Sequence, residues 1–141
     1  MTSKQVTRYQ CDFCRKKGYS AGHMAKHERH CTMNPGRDCR VCKMVGAVKR
    51  PIGDLVAVLP VHSREYYEGL VEEDGVISKG RAEVLLALPA LREACSGCPA
   101  CMLAALRQAH IPLWLVKPEF DFTAEMGSLW NEINEAQRTE Y

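Results

Sequence analysis

No apolar run in this chain of 141 residues comes near the roughly twenty residues that span a bilayer. A membrane partner is therefore not expected. The opening stretch MTSKQVTRYQ has no apolar core of the kind a secretory leader carries, so a cytoplasmic location is expected. No segment repeats at the period of a solenoid. Catalytic signatures are missing too: there is no phosphate-binding glycine loop, no G-x-S-x-G and no H-E-x-x-H. The string HERH at 27–30 has the wrong order, and the H-x-E of base deaminases is absent. His62 and His110 have no partner visible in the sequence and read as ordinary surface or capping residues. Neither an enzyme activity nor a small-molecule substrate is expected.

Cysteine, by contrast, is abundant, with eight residues. In a reducing compartment such thiols are more often metal ligands than disulfides. Charge is unevenly divided. Residues 1–50 carry twelve Lys/Arg against three Asp/Glu, and residues 51–141 carry seven against fourteen. A basic head on an acidic body is the asymmetry expected where one part meets a polyanion, although a small module can carry such charge for solubility alone.

The stretch CDFCRKKGYSAGHMAKHERHC, residues 11–31, sets out the first site. Cys11, Cys14, His27 and Cys31 are spaced C-x2-C-x12-H-x3-C, the zinc-finger pattern with cysteine in place of the last histidine. Zinc accepts that change because thiolate and imidazole both suit its tetrahedral shell. The first pair fits a tight knuckle, and the last pair, at i and i+4, shares one face of a helix. His30 stands one residue too near to replace Cys31 and reads as an exposed helix histidine. Ser20 is placed to cap the helix.

Tyr9 lies two residues before the first cysteine and Met24 three before His27, at the apolar positions of that pattern. With them, residues 9–31 resemble a zinc finger of the two-Cys, two-His class in its three-Cys, one-His variant. The resemblance implies a ββα module, residues 1–34, that is ordered by its metal. Two positions depart from it. The second core aromatic, Tyr19, falls one place late, and Gly22 weakens the first helical turn by about 1 kcal/mol relative to alanine. Docking as the family docks would face Ser20, His23 and Lys26 to bases, at helix positions −1, 3 and 6. Arg15, Lys16, Lys17 and Arg29 would then serve phosphates. A broader likeness, over CDFCRKKGYSAGHMAKHERHCTMNPGRDCRVCK and CPACMLAALRQ, is to small zinc-finger proteins of tailed phages and prophages. It implies a phage accessory or assembly factor in a bacterial host cytosol.

Five cysteines remain: Cys39 and Cys42 in RDCRVCK, then Cys95, Cys98 and Cys101 in CSGCPAC. Two knuckles this far apart can close one site if the chain between them folds back on itself. Pro99 suits the first turn of a helix, and a thiolate at that start is favoured by the helix dipole. The preferred ligands are therefore Cys39, Cys42, Cys98 and Cys101, with Cys95 spare; the rival set takes Cys95 and Cys98. A thioredoxin-like reading of CPAC wants a strand before it, where LPALREACSG reads as helix. An iron–sulfur reading wants a fourth cysteine where Ala105 stands. Two zinc ions in all is the expectation.

The rest reads as helical. One helix is expected over 63–73, capped by Ser63, and another over 79–93, interrupted at Pro89. A third starts at Pro99 with Met102, Leu103, Leu106 and Ala109 on one face. A last amphipathic helix begins at Thr123 as N-cap and carries Met126, Leu129, Trp130 and Ile133. Leu113, Trp114 and Leu115, and residues 55–59, read as extended. The fold class is thus mainly α, with a small ββα finger over 1–34 and a helical body over 35–141 closed by a four-cysteine metal site.

Two functions fit these features. The first is nucleic-acid binding through the basic finger, in a regulatory or accessory role. One finger covers only about three base pairs, so a second contact is needed, and Arg37, Arg40, Lys43, Lys49 and Arg50 continue the basic stripe. The second is a zinc-stapled protein–protein interaction or phage assembly role without DNA binding, to which an acidic helical body is better suited.

Overall fold

The computed structural model describes residues 1–47, 50–70 and 77–139, and these are mainly helical. The chain starts with a minimal hairpin. Strand β1, Tyr9–Gln10, pairs antiparallel with β2, Lys17–Gly18, setting Tyr9 opposite Gly18 and Gln10 opposite Lys17. Helix α1, Ala21–His30, follows. Its first turn is capped by Ser20, whose hydroxyl accepts from the His23 N–H at 3.3 Å. Met24 is buried with Cys11 and Cys31 in a small core that Met33 helps to cover. Neither tyrosine joins it: Tyr9 is 36% and Tyr19 69% exposed. A shift of one residue in an extended segment turns a side chain to the opposite face, so the late placement of Tyr19 carries it outward.

Six further helices build the body: α2 Arg40–Val45, α3 Ile52–Val56, α4 Arg64–Glu68, α5 Lys79–Ala94, α6 Pro99–Gln108 and α7 Phe122–Thr139. Helix α6 is the centre. Met102, Ala104, Ala105 and Leu106 are fully buried on it, and it packs against both α3 and α7. Its alanines hold the neighbouring elements close. Tyr67, Val84, Leu91, Leu115 and Phe120 complete the interior around it.

Several local expectations are corrected. The segment read as extended at 55–59 is the end of α3 and the turn after it. Its alternating β-branched residues suggested a strand, but Ile52, Leu55 and Leu59 are the buried ones, at helical spacing. Helix α5 runs without a break through Pro89, where an interruption was expected. Pro89 lies on the exposed side, where the Leu85 carbonyl it leaves unbonded can turn to water. Buried Val84, Leu88 and Leu91 hold the helix on both sides of it. Helix α4 stops at Glu68 rather than continuing to 73; Gly69 and Leu70 close it with backbone bonds to Glu65 and Tyr67, and 71–73 lie outside the described residues. Leu113–Leu115 forms a 3-10 turn, not an extended segment. The last helix is capped by Asp121, not Thr123: the Asp121 carboxylate accepts from the Ala124 N–H at 3.2 Å.

Polar side chains fasten these pieces together. Arg81 donates through Nε to the Leu115 carbonyl at 2.9 Å and through Nη2 to that of Lys117 at 2.7 Å, fixing the 3-10 turn to α5. Arg92 forms a two-pronged ion pair with Glu125 that ties α5 to α7. The hairpin–helix head is not left loose. Gln108 at the end of α6 donates to the carbonyls of Thr32 at 2.8 Å and Asn34 at 3.1 Å, and the neighbouring Arg107 donates to the Thr32 hydroxyl. The His30 ring donates from Nδ1 to the Asp38 carbonyl at 2.8 Å, and Asp38 N–H donates back to Arg29.

Candidate metal centres

The first centre is assembled by three local devices. The turn at 11–16 closes with Cys11 N–H on the Lys16 carbonyl and Arg15 N–H on the Cys11 carbonyl, so both cysteine side chains face inward. The Phe13 N–H points at Cys11 Sγ at 3.4 Å. Helix α1 then presents His27 one turn before Cys31 at its end. The ligand atoms of Cys11, Cys14, His27 and Cys31 all lie within 4.8 Å of one another, and His27 Nε2 approaches Cys14 Sγ to 3.1 Å. His30 is kept out because its ring is spent on Asp38.

The second centre joins segments far apart in sequence. Cys39 is the N-cap of α2, where its sulfur accepts from the Cys42 N–H at 3.4 Å; Cys98 is the N-cap of α6, with Pro99 in the first turn. Cys39, Cys42, Cys98 and Cys101 gather within the same 4.8 Å limit. Cys39 Sγ stands 3.7 Å from Cys98 Sγ, and Cys42 Sγ stands 3.4 Å from Cys101 Sγ. Four ligands about 2.3 Å from a tetrahedral zinc lie about 3.8 Å apart. Both tetrads fit one zinc ion each, and four donors leave no open position for catalysis. The sulfurs are too close together to wrap a multi-iron cluster, which spreads its cysteines around several metals. Val41 and Ala100, with Met126 and Leu129 of α7, close the apolar shell of this centre.

Cys95 stays outside the tetrad. It is buried in the main core, and that burial pushes its thiol up to about 12, with Cys98 and Cys39 adding to the effect. Arg37 and Arg50, read from sequence as part of a basic stripe, line a cavity of about 20 Å³ with Cys39, Cys42, Cys95 and Cys101. Four thiolates around a dication keep a double negative charge, and these guanidinium groups are placed to offset it. Sequence spacing gave no sign of that role. Lys49 lies outside the described residues.

Without metal, each tetrad must share protons. Hydrogen bonds from Cys101 and then Cys98 hold Cys39 far below the usual thiol range. Cys101 is pushed far up, first by its bond to Cys39, and burial drives Cys42 up to about 12. In the finger, burial would raise Cys14, but bonds from Lys16, His27, Cys31 and Cys11 outweigh it and bring Cys14 to about 7; burial raises Cys31 to about 11. Zinc binds thiolates, so its uptake at neutral pH must expel the protons of at least Cys42 and Cys101 from the second centre. Affinity there should rise by about two decades per pH unit through neutrality and fall equally on acidification. Calorimetry in buffers of different ionisation enthalpy counts those protons; a pH-independent affinity would contradict the assignment.

The residues expected to meet nucleic acid are all solvent-exposed, namely Ser20, His23, Lys26, Arg15, Lys16, Lys17 and Arg29. They do not form one surface. Lys16, Lys17, Ser20 and His23 line a groove of about 520 Å³ together with Tyr19 and His27. Arg15 turns to a separate cleft on the side of the helical body. Searches with the sequence and the structure find no matching family model, curated protein or solved structure.

Proposed function

We propose that this chain is a two-zinc nucleic-acid-binding protein whose N-terminal segment works as a ββα finger of the three-Cys, one-His kind. The groove between hairpin and α1 carries the reading: Lys16, Lys17, Ser20 and His23 converge there, with an exposed tyrosine among them. The charge of the first fifty residues supports it. Zinc is structural in this reading, since each ion has four protein ligands, and the protein is not an enzyme. Its setting is a cytoplasm, that of a bacterial host if the phage likeness holds. The test is binding to a mixed-sequence DNA duplex across a salt series. Changing Lys16, Lys17 and Lys26 together to glutamine should lower the slope of log K against log salt by about 2.7, at about 0.9 per lost phosphate contact, with both zinc ions retained. Wild-type binding that is absent or insensitive to salt would refute the reading.

A protein-interaction role is the alternative, and one observation favours it. The acidic body exposes Leu86, Trp114 and Trp130, large apolar side chains that an isolated surface gains nothing by presenting.

A further inference from the structure

Between the zinc knuckle and the helical body runs a cleft of about 590 Å³. Its walls come from three places in the chain: Phe13 and Arg15 from the knuckle, Arg64 and Glu68 from α4, and Arg107 and His110 from the end of α6. Three guanidinium groups and an imidazole thus face one acid. All of these side chains are exposed to solvent. Among the described residues no hydrogen bond or ion pair engages the side chain of Arg15, Arg64 or His110. Arg107 is steadied by its bond to Thr32 at 2.9 Å, which leaves other N–H groups of its fork to point elsewhere.

The backbone at two of these positions is unusual. Arg15 and His110 both adopt left-handed conformations, with φ of 64° and 63°. His110 occupies the turn that ends α6, where Ile111 N–H returns to the Leu106 carbonyl at 3.0 Å and glycine is the usual residue. A histidine and an arginine therefore stand where a smaller or freer residue would be easier for the fold, and each places its side chain on the cleft wall.

Resting on the nucleic-acid reading, we propose that this cleft takes a nucleotide of single-stranded nucleic acid. The guanidinium groups of Arg15, Arg64 and Arg107 match phosphodiester oxygens, for which Arg forks are suited. Phe13, exposed at the rim, offers a ring face to an unstacked base. An intact duplex presents phosphates on a convex surface and keeps its bases stacked, so a concave site with an aromatic rim favours a single strand. The cleft also supplies the second contact that one finger needs.

The test compares a labelled twenty-nucleotide single strand, its duplex and a free mononucleotide. With Arg64→Gln and Arg107→Gln combined, single-strand affinity should drop by about tenfold or more and the salt slope should shrink by about 1.4, at about 0.7 per contact. Arg64→Gln alone leaves the Thr32 bond intact and should give half that change in slope. Phe13→Ala should weaken single-strand binding by about tenfold through lost stacking, without altering the slope. Zinc content should be wild-type throughout. If these variants bind the single strand as the wild type does while the triple lysine variant is impaired, the cleft proposal falls and the finger reading stands. Wild-type binding to neither polymer removes both. A mononucleotide that binds as tightly as the strand assigns the cleft to a small metabolite and overturns the proposal.

Discussion

Replacing Cys42 with serine will yield a protein that carries one zinc ion and has lost its cooperative melting transition. The magnitude follows from where that ligand sits. Structural zinc in a tetrahedral site contributes on the order of 10–16 kcal/mol of apparent binding free energy at neutral pH. The net stability of a domain this size is only about 5–15 kcal/mol. The four-cysteine centre pins α2 to the first turn of α6, and α6 is the element around which α3 and α7 pack. Without it the body has no fixed start for its central helix. Cys101→Ser should behave the same way. Cys31→Ser should also leave one ion, but lose little beyond the hairpin and α1, because the core at that end is only Cys11, Met24 and Cys31 with Cys14 and Met33 against it. Cys95→Ala is the decisive companion: it should keep both ions and cost about 1–2 kcal/mol for the sulfur removed from the core. Elemental analysis and thermal melts read all four variants. Retention of the second ion in Cys101→Ser with its loss in Cys95→Ala would transfer the ligand role to Cys95.

Leu106→Ala should destabilise the body by about 3 kcal/mol and lower the melting temperature by on the order of 10 °C. Leu106 has no exposed surface, and it sits one turn beyond the fully buried Met102, facing Leu91, Leu115 and Val116 in the same cluster. No flexible neighbour is free to fill the space. Leu86→Ala supplies the contrast. That side chain is 81% exposed, so its loss should change stability by no more than about 0.5 kcal/mol. Zinc content should stay at two in both. A fall of only a degree or two for Leu106→Ala would mean the centre of the body has been placed wrongly.

Much of this site could be read from spacing because metal ligands obey local geometry. C-x2-C can only be a knuckle, and H-x3-C aligns on one helical face, so the eight positions expected to ligate are the eight whose donor atoms converge. The choice of Cys98 and Cys101 over Cys95 rested on Pro99 opening a helix, and α6 does begin there. What failed was the reading of short apolar segments. Residues 52–59 are too few for period 2 and period 3.6 to be told apart, and burial against α6 decides for helix. Pro89 misled because a proline on a solvated face removes one bond from a helix anchored elsewhere. Asp121 was passed over for Thr123 because either residue can cap, and only the position of the Ala124 N–H decides. The cleft lined by Arg15, Arg64 and Arg107 was invisible for a different reason: nothing in the sequence says that positions 15, 64 and 107 are neighbours.

Helix α6 begins at one metal-binding tetrad and ends, at Gln108, with its amide gripping the exit from the other. Ten residues of helix measure about 15 Å. The gap separating the two ions is therefore spanned by a strut of set length instead of a tether. Finger and body move as one piece, and whatever they grasp must come to them already the right size.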